Sequence, residues 1–94
     1  MLAKVKLALR ITHTYLDSDI TSTIAQARAE MVRAGVGSDV AESNHSLVEG
    51  AIKTFCLMHY SNDSKMAEGY SKSWEYQLDN LRKSDIEIEA ETEV

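Results

Sequence analysis

Ninety-four residues, 44% of them hydrophobic and 27% charged, make one domain's worth of ordinary globular chain. A single cysteine excludes an internal disulfide framework and a four-cysteine zinc site, while no proline and only four glycines favour helices over a turn-rich β architecture. The net charge of −5 sits entirely in residues 85–94, DIEIEAETEV, so residues 1–84 hold ten acids against ten bases and offer no basic stripe for nucleic acid.

No apolar run approaches the ~20 residues of a membrane span, and the first residues lack the apolar region of a secretory signal. The chain is expected to be soluble and of cytosolic origin. From Met1 to about Arg10, Leu2, Val5 and Leu9 recur at helical spacing with Lys4, Lys6 and Arg10 on the remaining surface. That reads as a short amphipathic helix. Ile11 to Leu16 is β-branched and aromatic and reads as a connector. Asp17, Ser18 and Asp19 offer an N-cap and first-turn acids for a second helix, whose stripe is Ile20, Ile24, Ala27 and Met31.

Gly35 ends that helix, with Val36 placed to fold back on its last turn. Residues 35–46 are small and polar and read as a loop. Ser43, Asn44 or Ser46 could cap a third helix, and Glu49 follows Ser46 at capping-box spacing. This helix, about Leu47 to Tyr60, lines up Leu47, Ala51, Phe55 and Met58 with Ile52 beside them. Being the most apolar segment, it should be central, with Phe55 and Met58 buried. The turn Ser61 to Ser64 supplies caps for a fourth helix, about Asp63 to Lys83, carrying Met66, Tyr70, Trp74, Leu78 and Leu81. Arg82 and Lys83 complement the dipole at its end.

From residue 85 the period changes. Ile86, Ile88, Ala90, Thr92 and Val94 alternate strictly with five acids, which is a strand's period in a chain with no second strand to pair with. The fold class expected is therefore all-α, a small bundle of about four helices in residues 1–84 with an extended acidic arm in 85–94.

Little in this chain can carry chemistry. Cys56 and His59 share a helix face at a spacing that could hold a metal, but only His13 and His45 remain to complete a site, and a buried thiol beside a helix-end histidine is the better account. Asp17 and Asp19 lack the glycine and distal glutamate of a calcium loop. Gly35-x-Gly37 follows a helix rather than a strand, so it is no phosphate loop. Tyr70, Trp74 and Tyr76 lack the surrounding bases of a stacking platform and fit packing instead. No catalytic residue, cofactor or metal ligand is assigned, and the chain is not expected to be an enzyme. The arm has two readings: an acidic run is commonly a plain solvated, disordered end, but an alternating segment can also add to another chain's exposed sheet edge, which makes Ile86, Ile88, Ala90 and Val94 the candidate partner-binding residues. Its acids keep it soluble and oppose self-pairing.

The order of these elements resembles that of the tailed-phage head–tail connectors, the small head-completion adaptors often described as DNA-packaging proteins. The likeness lies in Val5-Lys6 followed by Leu9-Arg10-Ile11, in Leu16-Asp17-Ser18-Asp19-Ile20 entering a helix, and in Ala25-x-Ala27. It continues through Leu47-Val48-x-x-Ala51-Ile52 and Tyr70-Ser71 with Leu78 and Leu81, covering about residues 1–83. Each motif is degenerate; their order is what persuades. Two features depart from the family: the stretch 35–46 is shorter than the insertion often found before that helix, and the alternating acidic end is peculiar to this chain.

The resemblance implies a structural protein of the virion's head–tail interface, assembled in the host cytoplasm. It would form a homo-oligomeric ring (a dodecamer in the virion) on the portal protein, extend the DNA channel, and offer a docking surface to a downstream joining or stopper protein. DNA would pass without sequence-specific contact, and no membrane is involved. A reading of another class is a small acidic regulatory or inhibitor protein that binds a basic partner through its tail.

Overall fold

A computed structural model describes residues 1–83, in which every regular element is a helix and no strand occurs. The elements are α1 (Leu2–Leu9), α2 (Asp17–Arg33), α3 (Ser38–Ala41), α4 (Ser46–Tyr60) and α5 (Ser64–Lys83). The all-α expectation holds for the described residues, which contain five helices where about four were expected. The extra one, α3, is a single turn inside the stretch read as loop; four residues are too few to carry a helical period. Tertiary contacts hold it: Ala41 is fully buried, and the Arg28 guanidinium on α2 donates to the carbonyls of Ala41 and Ser43 at 2.8 and 2.7 Å and to Asn44 Oδ1 at 3.0 Å.

The organising element is α4. It packs against α1, α2 and α5, while α1 and α3 also lie on α2. Its buried face is Val48, Ala51, Ile52, Phe55 and Cys56. This corrects the expected stripe, since Leu47 is 50% exposed and Met58 is only half-buried. The apolar positions of α4 are numerous enough to admit more than one stripe, and its three neighbours decide which one is covered. From α2 the stripe is as the period requires, with Ile20, Ile24, Ala27 and Met31 all buried and Thr23 among them. Val5 of α1 is fully buried, with Leu2 and Leu9 packed partly against the core. From α5 come Trp74, Leu78 and Leu81; Met66 remains more than half exposed. The Phe55 and Trp74 rings meet with centroids 4.9 Å apart and planes tilted by 56°, a favourable aromatic geometry between α4 and α5.

Helix ends explain the connections. Gly35 stands at φ +103° and the Val36 amide donates to Met31 O at 2.9 Å, with Val36 buried, which is the expected Schellman stop of α2. A Cβ on Gly35 would come within 3.1 Å of Arg82 Cδ, whose guanidinium donates to Ala34 O at 3.1 Å. The same stop ends α1: Ile11 N–H donates to Lys6 O at 2.9 Å and Arg10, at φ 61°, fills the left-handed position where glycine is usual.

The starts are less regular. Neither Asp17, Ser18 nor Asp19 caps α2; its N-cap is Leu16, which makes no side-chain cap bond. The Asp17 carboxylate is instead drawn to Lys6 Nζ at 2.7 Å, clamping α1 to α2, and it lies with Asp19 in the first turn. Helix α4 is capped by His45, whose Nδ1 accepts the Leu47 N–H at 3.1 Å, in place of Ser43, Asn44 or Ser46. Glu49 is taken up by Lys53 at 3.0 Å and Lys4 at 3.1 Å, so it does not close a capping box. The Asp63 carboxylate accepts the Lys65 and Met66 amides at 2.9 and 3.2 Å and caps α5 as expected.

Two stability predictions follow from this packing. Phe55→Ala should cost about 3–5 kcal/mol in chemical denaturation, while truncation of half-buried Met58 should cost less than half as much. Gly35→Ala should cost about 1–2 kcal/mol through its left-handed backbone and the Arg82 contact, and an unchanged denaturation midpoint there would contradict the role given to the Schellman stop.

Candidate docking groove

The end of α1, the end of α4 and the start of α5 surround an open groove of about 760 Å³. It exists because α1 and α5 both pack on α4 and form no comparable contact with each other. Leu9, Ile11 and Leu16 line one side, Leu57 and Tyr60 belong to α4, and Met66 and Tyr70 line the other side. The lining is mainly apolar, with Arg10 and the turn Ser61–Asp63 as its polar parts. Met66 is 54% exposed despite lying at a core-like spacing on α5. It stays open because α5 extends past the cover that α4 provides and looks across the groove toward α1.

Polar groups near the groove are nearly all engaged. Tyr60 donates its hydroxyl to Asp19 Oδ2 and lies 3.4 Å from the Thr23 hydroxyl, which itself donates to Asp19 O at 2.9 Å. Burial, and then the hydrogen bond to Asp19, push the Tyr60 hydroxyl above the usual phenolic range. Arg10 is exposed, and among the described residues no side-chain hydrogen bond or ion pair engages it. A second, smaller cleft of about 100 Å³ lies between Leu47, Gly50 and Gln77.

The structure separates the pair that looked most like chemistry. Cys56 is fully buried and desolvation pushes its thiol up to about 11, while His59 is exposed and stacks edge-on against Tyr60 at 4.9 Å. His45 is spent on the α4 cap, and His13 Nδ1 accepts the Tyr15 amide at 3.3 Å. Among the described residues no three His, Cys, Asp or Glu side chains come together as a metal site. Of the aromatic trio, Trp74 is buried, Tyr70 lines the groove and Tyr76 is 69% exposed. Ile86, Ile88, Ala90 and Val94, the candidate partner-binding residues, lie outside the described residues. The groove itself was missed, because its walls come from segments distant in sequence.

Among the described residues no helix is long and apolar enough to cross a membrane. No family model, curated protein or solved structure matches the chain.

Two expectations come from these environments. A thiol that ionises near 9 when unfolded and near 11 when folded favours the folded state below pH 9, and that advantage is lost as pH rises from about 9 to 11. The denaturation midpoint should therefore fall over that window, and Cys56→Ala should shrink the fall, leaving the part due to Tyr60. Arg10→Gly relieves a left-handed non-glycine residue, so stability should stay level or rise by up to about 1 kcal/mol; a loss would show that Arg10 serves the fold rather than the rim of the groove.

Proposed function

We propose that this chain is a structural subunit that assembles into a ring, a head–tail connector placed on a phage portal, where it extends the DNA channel and receives the next component of the neck. The observation that carries the reading is the open apolar groove at one end of a small helical body whose acids and bases are otherwise balanced. Exposed apolar surface of that kind marks a place where another chain binds. Leu7 at 79% exposure and Tyr15 at 88%, in and just after α1, add to the apolar surface outside the core. The order of motifs along the chain supplies the choice of connector. Nothing in the groove offers a nucleophile with its base, and the thiol is sealed in the core, so an assembly role fits the available chemistry better than a reaction.

The direct test is purification of the full chain with the portal protein of the same genome, followed by electron microscopy of the product. A ring seated coaxially on the portal is the expected outcome. A chain that ignores the portal and instead forms a one-to-one complex with a basic protein would overturn the connector reading in favour of an inhibitor.

A further inference from the structure

We propose that the groove between α1 and α5 is the receptor for residues 85–94 of a second copy of this chain, so that subunits join arm into groove. The inference rests on the reading of this protein as a self-assembling subunit, and it needs no portal.

Three observations select this occupant. The first is chemical. The groove is mainly apolar, with Arg10 at one edge and Asp63, whose carboxylate accepts the Lys65 and Met66 amides, at the other, and the segment beyond the described residues alternates apolar side chains with acids. An extended segment has two faces. Ile86 and Ile88 would enter the groove against Leu57 and Met66 while a neighbouring acid meets Arg10. The second is electrostatic. Residues 1–84 balance their charges, and Lys6 of α1 is held by Asp17, whereas Arg10 has no such partner among the described residues. Arg10 also occupies a backbone position that glycine fills more easily, so the fold does not call for a cation there.

The third is geometric, and it decides between the same chain and another one. The arm leaves α5 at Lys83, while the groove lies at the opposite end of that helix, at Met66 and Tyr70. At the helical rise per residue, Met66 is ~25 Å back along the axis from Lys83 and Tyr70 ~20 Å. Fully extended, the chain carries Ile86 only ~10 Å and Ile88 ~17 Å beyond Lys83. The two bulky anchors fall short of their own groove, but no such limit applies to a neighbour's. A contact between two different surfaces repeats head to tail, and it closes into a ring when the rotation per subunit permits.

Full-length variants test this by complementation in sedimentation velocity. The wild-type chain should self-associate. Ile86→Asp with Ile88→Asp removes the arm's anchors and keeps the groove; Arg10→Glu with Met66→Glu spoils the groove and keeps the arm. Each should be monomeric alone with unchanged helicity, and a mixture of the two should form a one-to-one heterodimer through the single intact contact. A labelled peptide of residues 84–94 should bind the arm variant saturably, and bind the groove variant at least tenfold more weakly. A monomeric wild type, assembly of either variant at wild-type affinity, or equal binding of a scrambled peptide of the same composition would overturn the proposal. The last result would leave a charged tether only. Arm-in-groove assembly without portal binding would sink the connector reading and keep this inference; portal binding by chains that never self-associate would do the reverse.

Discussion

The burial of one face of α4 against three other helices is the constraint on which the rest of this molecule depends. Val48, Ala51, Ile52, Phe55 and Cys56 leave α4 with almost no solvent on that side, and each of α1, α2 and α5 finds its place by covering part of it. A domain of this size has few other sources of stability, since it buries a modest fraction of its surface and carries no disulfide. The clamps at the periphery are weaker and serve orientation. Lys6 with Asp17 fixes α1 on α2, Glu49 joins α1 to α4 through Lys4, and Arg82 ties α5 to the end of α2. Glu49 and Asp79 are held below the usual carboxylate range, Glu49 chiefly by the hydrogen bond from Lys53 and Asp79 chiefly by that from Lys83. The Asp79 carboxylate is open to solvent, so its pairs add little to stability on their own, whereas the Glu49 side chain is mostly covered, at 17% exposure.

The groove is a consequence of the same arrangement. Two helices that both lean on α4, but not on each other, must leave a channel where their ends diverge, and the apolar residues facing it remain wet. The short α1 sharpens the effect: its Schellman stop turns the chain at Arg10, so Ile11 and Leu16 close one wall instead of continuing a helix. A single-turn helix, α3, is kept away from this end by Arg28, which holds the α3–α4 loop on the far part of α2. Groove and core are thus separated in space.

Much of the architecture was legible in the residues alone because it follows from period and local chemistry. The stripes of α1 and α2, the Gly35 stop and the capping turn before α5 are all local statements, made by neighbours three or four positions apart or by one residue's backbone freedom. The tertiary structure decided what depends on competition between partners. It chose the covered face of α4 over the stripe through Leu47 and Met58, and drew Asp17 to Lys6 and Glu49 to Lys4 and Lys53 rather than to helix ends. It gave His45 the cap, since a ring nitrogen in an extended backbone can accept the Leu47 amide as an oxygen would. It also held α3 by a residue thirteen positions away, and placed Met66 across from Leu9 and Ile11 to make a groove. Each of these rests on contacts between residues distant in sequence, and such contacts leave no period to read.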